Sequence, residues 1–293
     1  MLFSAAAVVM AITFTSGSLA VASLTALMFI YVFWDSFSAL LLSWAVSRGY
    51  KNPVEKKGVR LYCFFCRPKN LDEISYEQLY VLGKHGIAAP SLSDFVAYAK
   101  LYNCAAIFRC CKTGTLHGIV LWDLKKGGKC TFVQFGGMVF RNHLNVRCFR
   151  MICFAYALKV WLLNPFVSVT FTFPCRKPSV YAAFARMTKK MYPRFDADTP
   201  LWEKSIIDKL GQRFATKVSV GRYDPETCIA SADKVNPDYR EDFDEMTKDE
   251  AESSNDPHLK YFYSFKQKRL GSALLCVVHI DKQLLARVIG ILR

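Results

Sequence analysis

The side chains of this chain best suited to chemistry are its 11 cysteines. Cys63 and Cys66 form a C-x-x-C pair and Cys110 and Cys111 are adjacent. A structural zinc site needs four thiolate or imidazole ligands in tetrahedral geometry, hence a second pair at suitable spacing. Phe64 and Phe65, between the first two thiols, point to packing rather than a metal knuckle, so no metal is expected. The cysteines are odd in number, scattered, and mostly set in apolar runs (Cys104, Cys130, Cys148, Cys153, Cys276). That pattern suits buried thiols in a reducing compartment rather than a disulfide framework.

Charge is the second chemical resource. The formal net charge is +15, and it is uneven. Residues 238–256 hold nine acids against two bases; without them the chain has 37 bases and 15 acids, or +22. Between Asp123 and Asp196, 72 consecutive residues contain 13 Lys or Arg and no carboxylate. Such a surface faces anionic groups or solvent. Nucleic acid is not the expected partner, because Phe and Tyr fall at core spacings and not as stacking platforms on a basic face.

Residues 1–34 carry no side-chain charge, Asp35 interrupts, and a second apolar run from Phe37 to Val46 ends at Arg48. A membrane crossing takes about 20 apolar residues, whereas a signal peptide has a basic start and a shorter apolar run. One long helix from about Leu19 to Ala45 is the preferred reading. The alternatives are a hairpin turning near Thr15–Ser18, or cleavage near Ser18 or Ala20. Arg48, Lys51, Lys56, Lys57 and Arg60 follow the span, with Glu55 the one acid among them. The positive-inside rule therefore places the rest of the chain on the cytoplasmic or mitochondrial-matrix side, in agreement with the cysteines. Membrane lipids are one expected partner. The expected organisation is an anchor over 1–47, a basic juxtamembrane linker over 48–71, a folded domain over 72–280 with an acidic loop at 238–256, and a tail over 281–293.

The elements of that domain follow from periodicity. Two short helices are predicted within 72–102, the second capped by Ser91-Leu-Ser-Asp94. A hairpin follows, Ala105–Cys111 and His117–Leu124 about a turn at Lys112-Thr-Gly114, and then a third strand, Cys130–Phe140, with Gly136-Gly137 marking a bend or bulge. A long helix from Leu144 to Leu163, a strand from Phe166 to Phe173 and a helix from Ser179 to Met191 come next. A helix from Leu201 to Phe214 and two closing strands, Leu259–Phe265 and Ala273–Ile280, complete an α/β order.

A hairpin, a strand running into an Arg-bearing turn, a helix, a strand and another helix resemble the GNAT acetyltransferase superfamily over roughly Cys104 to Ile280. Met138-Val-Phe-Arg141 before a helix is similar to that family's acyl-CoA motif. The segment Pro178-Ser-Val-Tyr181 to Tyr192-Pro-Arg194 resembles the following helix of GNAT-like bacterial proteins, and Asp256-Pro-His-Leu-Lys-Tyr-Phe resembles their closing strand. The resemblance implies a mixed sheet flanked by helices, with any acyl-CoA pyrophosphate held by Arg141, Asn142, His143, Asn145 and Val146 at a helix N-terminus. It further implies Tyr181 as acid toward the departing thiolate and His143 as base.

Close approach of phosphate normally demands glycine, and Arg141-Asn-His-Leu-Asn-Val146 has none. The expectation is therefore a catalytically degenerate GNAT-like domain without cofactor, acting as an accessory or structural subunit among other subunits of a membrane complex, mitochondrial or otherwise. The alternative is an active acyltransferase at a membrane surface, using acyl-CoA.

Overall fold

The computed structural model describes residues 60–83, 89, 91–127, 130–140, 168–217, 222–231, 253–266 and 272–281, together with Ser36, Ala39, Leu40 and Ser43. The predicted anchor, apart from those four helical residues, the helix Leu144–Leu163 and most of the acidic loop lie outside them. Among the described residues no helix is long and apolar enough to cross a membrane.

The first strand, β1 (Leu61–Cys66), falls within the stretch read as a linker. Helices α1 (Glu73–Gly83) and α2 (Leu92–Lys100) follow as expected. Ser91 caps α2: its Oγ accepts from the Asp94 N–H at 3.2 Å, which satisfies one of the unpaired donors of the first turn. The hairpin is β2 (Cys104–Cys110) and β3 (Leu116–Gly127), and β4 is Cys130–Phe140. Gly114, in the β2–β3 turn, takes φ +67°, which glycine adopts without the steric cost a Cβ brings.

Past the undescribed stretch come β5 (Ser168–Cys175), α3 (Pro178–Met187), the two-residue β6 (Met191–Tyr192) and α4 (Leu201–Lys217). The short strands β7 (Arg222–Asp224) and β8 (Ile229–Ser231), helix α5 (Pro257–Lys266) and β9 (Ala273–Ile280) follow.

One expectation is overturned. Residues 257–266, read as a closing strand and as resembling the family's strand, form a helix. Leu259, Phe262 and Tyr263 are buried while Lys260 and Ser264 are exposed, which is helical spacing rather than alternation. Pro257 opens the helix, where its missing N–H costs nothing, and the Asp256 carboxylate accepts from the His258 N–H at 2.9 Å. The helix predicted to reach Met191 stops at Met187, and Met191 instead pairs with Val278 of β9.

Among the described residues the strands form one nine-stranded sheet in the order β1-β2-β3-β4-β5-β9-β8-β7, with β6 also on β9. Every pairing is antiparallel except β4 with β5. One face carries Trp122, Phe108, Phe135, Phe171 and Phe173, in a core shared with Tyr181 and Phe184 of α3 and Phe262 of α5. On the other face Tyr76, Leu79, Phe95 and Ala99 of α1 and α2 cover Ala105, Ile107, Ile119 and Leu121. Helix α4 lies against β9 and reaches α2 through the Tyr98–Phe214 ring contact. At the outer edge, the Cys63 N–H of β1 donates to Ser43 Oγ at 2.6 Å, and the Ser43 hydroxyl donates to the Ala39 carbonyl.

Candidate functional site

Among the described residues, β4 and β5 part company partway along the sheet. Cys130–Gln134 of β4 pair in parallel with Ser168–Thr172 of β5. Beyond Gln134 and Thr172 the two strands no longer pair: β4 continues along β3 to Phe140, and β5 along β9 to Cys175. The parting coincides with a bulge. Leu121 pairs with Gly137 and Trp122 with Phe135, so Gly136 has no partner on β3. A bulge bends its strand and re-aims the backbone groups beside it. Glycine is required there, because a Cβ on residue 136 would come within 2.2 Å of the Tyr102 ring.

Two tyrosines hold the bulge. Tyr98 on α2 donates its hydroxyl proton to the Gly136 carbonyl, and Tyr102 donates to the Tyr98 oxygen at 3.1 Å. Burial pushes both phenols above the ordinary tyrosine value, with the positive fields of Arg176 and Arg213 opposing that at Tyr98. Both are therefore protonated donors at neutral pH.

Beneath them sits a buried polar network. Arg213 of α4 donates to Gln134 Oε1 at 2.6 Å, to Asp123 Oδ2 at 3.4 Å and to the Leu101 carbonyl at 3.0 Å, and it lies 5.7 Å from the Tyr102 ring centroid. Asn103 donates to the other Asp123 oxygen at 2.5 Å. Asp123, the last carboxylate before the basic stretch, is thus buried with both oxygens engaged. That is how a buried charge is tolerated. It holds Arg213 between β3, β4 and α2.

On the opposite face, aromatic rings cluster beside the point where the strands part. Phe135 stacks on Phe171 at 5.4 Å, Phe173 meets Phe184 at 5.3 Å, and Phe140 meets Phe108 at 5.1 Å. Tyr181 belongs to this packing. It is 0% exposed, donates to the Pro193 carbonyl at 2.8 Å and is flanked by Tyr261, Phe262 and His258. Burial drives its phenol far above the ordinary range. Arg141, Asn142, His143, Asn145 and Val146 lie outside the described residues, so of the expected site Tyr181 alone is placed. Cys63 and Cys66 sit in different cores on opposite faces of β1, as residues three apart in a strand must. Burial raises their thiols to about 12 and about 11, so both are neutral.

A second constellation lies at the Cys130–Ser168 end of the β4–β5 pair. Cys130 Sγ is 3.2 Å from Thr170 Oγ1, Thr170 Oγ1 is 2.9 Å from His279 Nδ1, and His279 Nε2 is 3.0 Å from Glu203 Oε1. Trp202 stacks on His279 at 5.2 Å and touches Phe132 at 6.2 Å. Sequence reasoning missed both clusters. The available signals were Asp123 closing an apolar strand, Ile119-Val-Leu-Trp-Asp123, and His279 in the otherwise apolar Leu274-Leu-Cys-Val-Val-His279.

Fold and site define an α/β protein with a mixed sheet, opened beside a bulged strand. No family model matches the chain, and no curated protein matches it. Among solved structures, a GNAT-family acetyltransferase from Bacillus anthracis aligns at 13% identity over 41% of this chain and 72% of that one, with a TM-score of 0.24, too loose a likeness to argue from.

Proposed function

We propose that the chain is a GNAT-like domain that has given up cofactor chemistry and serves as an accessory or structural subunit of a membrane complex. In this reading it is carried on the apolar N-terminal anchor and faces the cytoplasm or the mitochondrial matrix. The GNAT-like part of the proposal rests on element order: a strand, two helices, three antiparallel strands, a fifth strand parallel to the fourth, a helix, and a closing antiparallel strand. The loss of chemistry rests on one observation, the phenylalanine packing of Phe135, Phe171 and Phe173 where the strands part. The glycine-free segment Arg141–Val146 and the engaged Asp123 carboxylate agree with it. The Ser43–Cys63 contact ties the end of the apolar stretch to β1.

The test uses the full-length protein in detergent. Titration with acetyl-CoA and a long-chain acyl-CoA at millimolar concentration is expected to give no heat and no thermal shift, and the protein is expected to migrate with other subunits on native gels. Saturable acyl-CoA binding that free CoA competes away would overturn the proposal.

A second reading, an acyl-CoA-dependent acyltransferase at a membrane surface, is favoured by the bulge at Gly136 with Tyr98 beside it. There Tyr98, still a proton donor at neutral pH, takes the role of acid toward the departing thiolate. Under this reading Tyr98→Phe slows CoA release; under the first the substitution leaves any CoA release unchanged.

A further inference from the structure

We propose that Cys130 is a nucleophilic thiol that takes an acyl group from a thioester, activated through Thr170, His279 and Glu203. The inference is independent of the CoA question above, because it concerns the opposite end of the β4–β5 pair.

Donors and acceptors fix the direction of the chain of hydrogen bonds. The Glu203 carboxylate only accepts, so His279 carries its proton on Nε2 and points it at Oε1. Burial lowers the His279 pKa below the ordinary histidine value, so the ring is neutral at pH 7 and Nδ1 is left as an acceptor. Thr170 must then donate its hydroxyl proton to Nδ1, which leaves its oxygen to accept from the Cys130 S–H. Nucleophile, base and orienting carboxylate thus stand in line with one hydroxyl between the first two, a relayed form of the nucleophile–base–orienter arrangement that activates a thiol. Thr170 is 0% exposed and held between β4 and β9, so the wire does not depend on a mobile side chain.

Chemistry selects the partner. Oxidation of Cys130 would need an oxidant, whereas exchange with a thioester needs only the donor. The Cys130 sulfur attacks the acyl carbon while its proton passes to Thr170 and the Thr170 proton passes to His279, in one concerted shift. Glu203 stabilises the imidazolium. Collapse breaks the donor's C–S bond, the imidazolium returns its proton to the Thr170 oxygen, and the Thr170 hydroxyl hands a proton to the departing thiolate. One thioester and one thiol become another thioester and another thiol.

The surroundings favour an apolar acyl chain. Phe132 lies on the same strand face as Cys130, Trp202 bridges Phe132 and His279, and Leu201 beside it is 90% exposed.

The test is acylation of the full-length protein in detergent by S-octanoyl-N-acetylcysteamine, a thioester with no nucleotide, followed by peptide mass mapping. Cys111, exposed at the β2–β3 turn, is the internal reference for an unassisted thiol. Hydroxylamine-labile octanoylation of Cys130 is expected at least about tenfold faster than at Cys111, in line with general-base assistance. Thr170→Val keeps the shape of residue 170 and cuts the wire, so it should bring the Cys130 rate down to that of Cys111 while circular dichroism shows an unchanged fold. His279→Gln should do the same. Equal rates at Cys130 and Cys111 in the unmodified chain, or a folded Thr170→Val protein that reacts as fast as the parent, would sink the proposal.

Discussion

Tyr98 donates its hydroxyl proton to the carbonyl of Gly136, tying α2 to the one residue of β4 that lacks a partner across the β3–β4 ladder. The bond reaches across 38 residues of sequence. It makes the bulge a built feature of the domain, because the carbonyl it turns away from the ladder finds a donor in the helix above.

Gly136→Ala follows directly. A methyl group placed 2.2 Å from the Tyr102 ring must displace it, and overpacking of this kind costs about 1–3 kcal/mol. Urea unfolding should show the loss. Adding Tyr102→Leu in the same chain should return part of it, since residues in contact couple non-additively.

The two arginine pairs should separate sharply. Arg213 and Asp123 have side chains 18% and 4% exposed, whereas Arg186, paired with Asp256, is 60% exposed. Arg213→Met leaves the buried Asp123 carboxylate with only the more exposed Lys125, 4.0 Å away, as a cation, and should cost about 3 kcal/mol. Arg186→Met should cost under about 1 kcal/mol. Denaturant midpoints of the two variants, compared with the parent, decide it.

Tyr181→Phe removes the donor to the buried Pro193 carbonyl and nothing else of size. It should lower stability by about 1–2 kcal/mol. If Tyr181 is a packing residue, acyl-CoA behaviour should be unchanged by the substitution; a selective loss of CoA release would assign it to catalysis.

Burial lowers the pKa of both His279 and His258 below the ordinary histidine value of 6.5. The unfolded chain therefore binds more protons than the folded one as pH falls through 6.5. Stability from these groups is complete above that value and is lost toward pH 5. Thermal unfolding should show a lower midpoint at pH 5.5 than at pH 7.5, and His279→Gln should flatten the slope. Asp196 and Asp256, whose pKa values are lowered below 3.8, act only at more acidic pH.

Local signals were readable and distant ones were not. The Ser91 cap, the β2–β3 hairpin and the bulge glycines all announce themselves within a few residues. The α5 error had a local cause: Tyr261, Phe262, Tyr263 and Phe265 read as strand composition, although Asp256-Pro257 is a helix-start pair. β1 escaped because six residues holding two cysteines and two phenylalanines carry no clean alternation. The polar clusters are a different matter. Arg213 meets Gln134 across 79 residues and Asp123 across 90, and His279 meets Thr170 across 109. Only the sheet order brings them together, and a single sequence does not display sheet order.

β9 is the last strand in the described chain, yet it lies inside the sheet, between β5 on one side and β6 with β8 on the other. A nascent chain therefore completes Ser168–Cys175 long before its antiparallel neighbour leaves the ribosome. Until Ala273–Ile280 arrives, β5 is an open edge of unpaired backbone flanked by Val169, Phe171 and Phe173, a template for any stray strand. Translation that stalls before Ala273 should yield a chaperone-dependent, self-associating product rather than a smaller version of the domain.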